Sequence, residues 1–308
     1  MVKSVLSQEE MLDIDAPVSR LTLALRRCWE TCKNAVSELR RSKTAIVGAL
    51  MLLVLLGLCL LTPYIARYDP IKQNYREMLQ TPSTKHYFGT DRYGRDIWSR
   101  ILWGGRRLLT ISVLAVLVGI LVGIPMGTLS GYYGRWIDAF TMRLVDAQLA
   151  FPSLLLAIAV IAALGTSLWT LLAVLALRSW AVHARTLRAA VLVIREQESV
   201  TAARALGAGP LRVAFKEVLP NAVAPLIVVA TAQLGALILL ESTLSFLGIG
   251  LQPPAPSWGS MLSSGRPYMT VAWWVAAVPG VAILIAVLGA NLLGDGLRDA
   301  LDPRLKWS

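Results

Sequence analysis

The chain has 308 residues, 56% hydrophobic and only 16% charged, with a mean hydropathy of +0.59. A soluble domain carries about 25% charge, so the composition excludes an ordinary soluble enzyme and points to a membrane. The net charge of +11 does not argue for a nucleic-acid partner, because membrane proteins gather Lys and Arg on the cytoplasmic side.

Residues 1–43 are polar and mixed in charge, without the pattern of a cleavable signal peptide. They read as a cytoplasmic N-terminal arm. Cys28 and Cys32 lie in this arm and Cys59 in an apolar run. No Cys or His cluster completes a metal site, so the three read as free thiols. A membrane helix needs roughly 20 apolar residues at about 1.5 Å rise each. The first such run follows Arg40-Arg41-Ser42-Lys43 and covers 44–64. Residues 65–107 are too polar to span and form an extracytoplasmic segment. Within it Ile97, Trp98, Ile101 and Leu102 fall at i, i+1, i+4 and i+5, an apolar helical stripe. With Trp98 and Trp103 it reads as a helix at the membrane interface, or as a packing element leading into the next span. The second span runs from 108 to about 131. Its Gly119, Gly123, Gly127 and Gly131 make a small-xxx-small ridge suited to tight helix packing.

Between Asp146 and Arg178 lie 31 uncharged residues, too many for one upright helix and too few for two wholly apolar ones. Gly165-Thr166-Ser167 supplies a break, which predicts helices over about 138–164 and 168–190. Their polar ends, Asp138, Arg143 and Asp146 on one and Arg178, Arg185 and Arg188 on the other, are expected to face protein or headgroups. His183 has no carboxylate or Cys at ligand spacing and reads as structural. Later spans run from about 222 to 240 and from 269 to 293. Glu241 is an acid deep in an apolar run, either on a translocation path or paired with a span arginine such as Arg178. Pro253, Pro254 and Pro256 with Trp258 mark a stiff outside loop. Asp295, Arg298, Asp299, Asp302 and Arg304 read as a charged clasp in a cytoplasmic tail, 295–308. Six spans with both termini inside place 20 of the 30 Lys and Arg in inside segments and 10 outside, the orientation the positive-inside rule favours. A five-span arrangement, reversing the end of the chain, is the alternative.

The stretch 195–220 interrupts the apolar pattern. Residues 195–206 are good or tolerable helix formers. Gly207 suits the left-handed position that ends a helix, and Pro210 the first position of the next. Leu211, Ala214, Phe215 and Val218 recur at i, i+3, i+4 and i+7, an amphipathic helix of about two turns. Pro220 ends it and starts the next span. Two short helices around a Gly-Pro elbow form a protruding knob, slim at Ala202, Ala203 and Ala205. An apolar stripe with no core of its own suggests a partner.

TAARALGAGPLRVAFKEVLP resembles the "EAA" loop of ABC-importer permeases, with Ala202, Ala203, Gly207, Leu219 and Pro220 at the matching positions. Thr201 stands where the family pattern has a leading Glu. FGTDRYGRDIWSRILWGGRR (88–107), LVDAQLAFPSLLLAIAVIAALG (144–165), LSFLGIGLQPPAPSWGSML (244–262) and NLLGDGLRDALDPRL (291–305) are similar to the permease subunits of dipeptide, oligopeptide and nickel importers, in particular the C-type subunit with one span before the core. Leu108 replaces a serine of that pattern. The resemblance covers about 68–305.

The resemblance implies an all-α membrane protein of six transmembrane helices with a type I ABC-importer core of five helices, 108–294, in the inner membrane. It implies ATPase coupling through Thr201, Ala202, Ala203, Gly207, Leu211, Phe215, Leu219 and Pro220, and a translocation path near Glu241 and Arg178. The chain has no Gly-Lys dipeptide, hence no Walker A loop, and no cofactor is expected in it. ATP and Mg are expected in two separate cytoplasmic ATPase subunits. A second homologous permease subunit, an extracytoplasmic solute-binding protein and membrane lipid complete the implied partners. The solute class is a dipeptide or oligopeptide, with nickel chelates or modified peptides as alternatives. An ion-coupled secondary transporter would want several deep acids and repeat-related broken helices. An intramembrane enzyme would want a motif such as H-E-x-x-H. The sequence offers neither set.

Overall fold

A computed structural model describes residues 42–301. Most of the N-terminal arm, Cys28, Cys32, and the Asp302 and Arg304 members of the C-terminal clasp lie outside the described residues. The described chain is helical, and its sole strand-like feature is an isolated bridge between Thr90 and Asp96.

Helix α1, Lys43–Leu60, starts at Ser42, whose hydroxyl accepts from the Ala45 amide at 3.3 Å. It turns Leu50, Leu53 and Leu60 outward and packs its small residues on the last helix, with Gly48 against Gly289 and Ala45 against Gly296. Lipid is as apolar as leucine, so such pairs associate through close van der Waals packing rather than apolar transfer.

Helix α2, Ile97–Tyr133, has 37 residues and is about 55 Å long. The stripe and the second span are one continuous helix, so the stripe is the packing element leading into the span and not a separate interfacial helix. Asp96 caps it by accepting from the Ser99 amide and hydroxyl at 2.8 and 2.7 Å. Ile97, Ile101 and Leu102 are buried, not laid on a membrane surface. The flat Gly104-Gly105 face admits the Trp258 indole, whose Nε1 donates to the Ile101 carbonyl at 2.8 Å.

The single helix expected over 138–164 is two. Helix α3, Arg135–Ala150, and α4, Ser153–Leu164, meet at 92°. Pro152 is the cause: it cannot donate to the helix and drives Phe151 into the extended region, at ψ +133°. Helix α4 is about 18 Å long, too short to cross a membrane alone. Helix α5, Leu168–Ile194, begins at Ser167, whose hydroxyl accepts from the Thr170 amide at 3.0 Å, just after Gly165 at φ +81°.

The glycine ridge of α2 lies on α5. A β-carbon on Gly123 would sit 2.7 Å from His183 Cβ, on Gly127 2.5 Å from the Ala184 carbonyl, and on Gly131 2.8 Å from Val191 Cγ1. Gly119 likewise abuts Ser179. Helix α6, Glu198–Ala205, is followed by a helical stretch made of Pro210–Arg212, a π turn at Val213–Val218, and Leu219–Ala222. Then come α7, Ala224–Phe246, α8, Trp258–Gly265, and α9, Trp274–Leu301.

Four of these helices, α1, α2, α7 and α9, are long and apolar enough to cross a membrane, and the bent α3–α4 pair makes a fifth candidate. Helix α5 has 27 residues, ample length, but carries Arg178, His183, Arg185 and Arg188. Arg185 and Arg188 pair with acids of α3 instead of being absent. His183 is fully buried, with Nδ1 2.7 Å from the Ser179 carbonyl oxygen.

Candidate functional site

The elbow is built on the ends of α2 and α5. Arg195, at the end of α5, donates from Nη1 to the Gly131 carbonyl of α2 at 2.7 Å. The Arg204 guanidinium of α6 lies 5.2 Å from the centroid of the Tyr132 ring, within cation–π range. Gly207 closes α6 at φ +80°, with its amide donating to the Arg204 carbonyl at 2.9 Å. A residue with a β-carbon is strained at such a φ. Gly209 then precedes Pro210, which stands in the first turn of the next helical stretch.

The apolar stripe expected at Leu211, Ala214, Phe215 and Val218 divides. Ala214 and Val218 are fully buried, while Leu211 is 60% exposed and Phe215 also faces out. The reason is the π turn. Pro220 has no amide hydrogen to give to residue 216, so the ladder widens there and α-helical spacing no longer keeps one face. Pro220 therefore lies within the helical stretch, and the next span starts later, at Ala224. The inner face has a core after all: Val200, Val213, Val218 and Ala222 pack on Leu187, Val191 and Ile194 of α5. The outer face presents Thr201, Ala202, Leu206, Gly207, Leu211 and Pro220, with Ala203 and Leu219 half-buried. Leu206, 89% exposed, is the most exposed of the elbow's large apolar residues. Sequence reading passed over it because it stands outside the i, i+3, i+4 pattern; its place directly before the helix-ending glycine was the available signal.

A second constellation joins α3 and α5. Arg188 forms an ion pair with Asp138, Nη2 to Oδ2 at 2.6 Å, and Ser130 of α2 donates to the same carboxylate at 2.6 Å. Arg185 pairs with Asp146, and the Gln148 side-chain amide donates to the Leu177 carbonyl. Two charged residues on each of these helices thus satisfy each other. Beside them, at the α3–α4 bend, a cavity is lined by Gln148, Phe151, Ser153, Val174 and Arg178, among others. The Nε of Arg178 is buried and has no hydrogen-bond partner among the described residues.

Glu241 and Arg178 form no ion pair among the described residues, which corrects that alternative. Glu241 is fully buried on α7 and accepts from the Ser245 hydroxyl at 2.8 Å. Ser245 in turn lies against Gly250, so Glu241 braces the turn that leaves α7. It does not line the cavity.

Residues 66–96 fold onto the start of α2. Asp96 Oδ1 lies 2.9 Å from His86 Nδ1, and Asp91 accepts from Arg95 Nε at 2.7 Å. Arg100 donates to the Pro70 carbonyl at 2.7 Å. On the outer side Lys85 bonds to Glu77, which holds the Glu77 carboxyl below its usual range and the Lys85 amine above its own. Among the described residues no group of three or more His, Cys, Asp or Glu is placed to hold a metal ion.

Residues 123–307 match the family described as binding-protein-dependent transport system inner membrane component, and residues 32–82 match the N-terminal transmembrane domain of oligopeptide transport permease C. The di/tripeptide transport system permease protein DppC of Pseudomonas aeruginosa is 44% identical, over 95% of this chain and 97% of its own. The dipeptide transport system permease protein DppC of Alkalihalophilus pseudofirmus is 42% identical, over 89% and 90%. The glutathione transport system permease protein GsiD of Escherichia coli O1:K1 is 41% identical, over 87% and 88%. Among solved structures, the inward-facing MetNI methionine ABC transporter shares the fold, with a TM-score of 0.54 at 22% identity, over 67% of this chain and 97% of that one. Matching family signatures and near full-length identity to these permeases agree with the helical membrane fold: the chain belongs to the binding-protein-dependent transport system inner membrane components, as a permease of the DppC type.

Proposed function

We propose that the chain is one permease subunit of an ATP-driven importer of short peptides. The observation that carries this is the elbow. It has its own core inside, yet presents Ala202, Leu206, Gly207 and Leu211 outward, in a chain without a phosphate-binding loop. Such a knob fits a cleft on a separate ATPase subunit. Thr201, Ala203, Phe215, Leu219 and Pro220 shape it, and Thr201 in place of an acid makes the contact one of packing more than charge. The peptide solute rests on the relatives named for dipeptides and tripeptides. Those named for glutathione support a second reading, a modified tripeptide.

In this reading α1, α2, the bent α3–α4 pair, α5, α7 and α9 are six spans, with both termini and the 195–220 elbow in the cytoplasm. Residues 65–96 then lie outside, and the five helical units after α1 form the permease core. The inner membrane, a second homologous permease, two ATPase subunits using ATP and Mg, and an extracytoplasmic solute-binding protein complete the assembly. Movement of the elbow passes directly into α5, and through the Arg185–Asp146 and Arg188–Asp138 pairs into α3. The segment would move as a body between two states, each favoured by different contacts.

The test is reconstitution. The chain, co-expressed with candidate partners and placed in vesicles, is expected to take up labelled alanyl-alanine only with ATP, an intact ATPase and the binding protein. Uptake driven by an ion gradient without an ATPase subunit sinks the reading. Preference for glutathione over dipeptides selects the second one.

A further inference from the structure

We propose that Arg178 and the cavity at the α3–α4 bend form a subsite for the carboxylate of the transported peptide. This rests on the peptide-import reading above. Helix α5 carries three arginines facing α3 and α4, and two of them have carboxylates: Arg185 has Asp146 and Arg188 has Asp138. Arg178 has none among the described residues. Its Nε is buried without a partner while its side chain lines the cavity. An ionised group at such a place is costly and is kept where it lines a path or meets an opposite charge.

The cavity walls have a suitable chemistry. Leu149, Leu156, Ala157, Val160, Val174 and Leu177 are apolar, and the polar groups are few: Arg178, Gln148 and Ser153. Gln148 donates one amide hydrogen to the Leu177 carbonyl, which leaves its second amide hydrogen as a donor. The volume is about 50 Å³, several times the roughly 10–15 Å³ that one water needs. It admits a terminal group and not a whole peptide. A guanidinium fork matches a planar carboxylate in two parallel hydrogen bonds.

Depth selects the source of the anion. Arg178 lies about 15 Å along α5 from Leu168, in a helix about 40 Å long. In the six-span reading, with Leu168 at the outer edge of a hydrocarbon core about 30 Å thick, that is near the middle, away from lipid phosphates. A mobile solute carboxylate reaches that depth; a headgroup does not.

The test uses the complete transporter in proteoliposomes, with Cys28, Cys32 and Cys59 replaced by alanine and Ser153→Cys as the reporter. An anionic sulfonate thiol reagent is expected to modify Cys at 153 about tenfold faster than a cationic ammonium reagent, each relative to a free thiol, because a single charge a few ångströms away biases the two oppositely. Arg178→Gln should abolish that preference and Arg178→Lys should keep most of it. Alanyl-alanine should slow the anionic reagent at least severalfold with Arg178 and not with Arg178→Gln, while alanyl-alanine amide should not protect. An anion preference that survives Arg178→Gln overturns the subsite. So does a thiol that neither reagent reaches, the result if a partner acid fills the cavity. Absence of peptide protection in a transporter whose Arg178 form imports alanyl-alanine overturns the carboxylate assignment alone. Absence of any peptide uptake by the unmodified transporter instead defeats the import reading.

Discussion

Asp138 and Arg188 meet across the α3–α5 interface, 50 positions apart in sequence, with Nη2 2.6 Å from Oδ2. The Ser130 hydroxyl on α2 donates to the same carboxylate, so one acid ties three helices together at the level of the elbow. Both side chains are less than a third exposed, so the pair is worth more than a solvated surface bridge.

Asp138→Asn removes the charge but keeps the shape. It leaves Arg188 without a counter-charge, at an expected cost of about 1–3 kcal/mol, nearer the lower end because water still reaches the pair. Peptide uptake should fall severalfold, and the exchange Asp138→Arg with Arg188→Asp should restore part of it. Thermal unfolding of the purified complex and vesicle uptake measure the two effects. Full uptake by Asp138→Asn removes the transmission role from this pair.

The glycine ridge gives a packing test. Gly123→Val and Gly127→Val each force a side chain into α5, where a β-carbon would already sit 2.7 or 2.5 Å from neighbouring atoms. Overpacking of this kind costs about 1–3 kcal/mol or more. Gly57→Ala is the control, since a β-carbon there meets nothing within 4 Å. Detergent thermostability should drop for the first two and hold for the third. Equal stability in all three would mean that α2 and α5 do not pack this way.

Substitutions on the elbow should separate coupling from folding. Gly209 has no positive φ, and a β-carbon there meets no other group, so Gly209→Trp adds bulk only to the outer surface. Leu206→Glu places a charge at the exposed tip. Both are expected to insert and to keep normal thermostability while losing most ATP-dependent uptake. Gly207→Trp should also block uptake, but with an added strain cost of about 1–2 kcal/mol at its left-handed φ. Unimpaired uptake by Gly209→Trp and Leu206→Glu would strip the elbow of its docking role.

The Glu77–Lys85 bond has a defined pH window. Glu77 is held below its usual range chiefly by the Lys85 hydrogen bond, so its contribution is present above about pH 4.3, the ordinary Glu value, and fades as pH falls through the lowered one. Lys85 is raised chiefly by the same bond, so its contribution is present below about pH 10.4 and fades as pH rises through the raised value. A double-mutant cycle with Glu77→Gln and Lys85→Met, made on a His86→Gln background because His86 Nε2 lies 3.4 Å from Glu77 Oε2, should give a small, constant coupling between about pH 5 and pH 10, shrinking only beyond those limits. A coupling that changes steeply near neutral pH contradicts this assignment.

Much of the local structure was legible in the residues. Gly207 and Pro210 stop one helix and start another because their backbone restrictions act within a few residues. The Gly165-Thr166-Ser167 break and the small-residue ridge at 119, 123, 127 and 131 were legible for the same reason. Pro152 was equally visible. Yet counting uncharged residues smoothed over it, since composition measures how much chain is apolar and not where it turns. The π turn at Val213–Val218 was hidden because it follows from one missing amide hydrogen at Pro220, and it moved Ala214 and Val218 from the expected outer stripe to the core.

Composition and motif order were enough to indicate a helical membrane permease, because lipid demands long apolar helices and the loop residues act through short-range backbone preference. Which groups meet was decided by the folded packing. Arg185 and Arg188 found acids on α3, Arg178 was left facing a cavity, and Glu241 closed on Ser245 instead of an arginine. Residues far apart in sequence share an interaction only when helix bends and rotations bring them within a few ångströms, and no local preference encodes that distance.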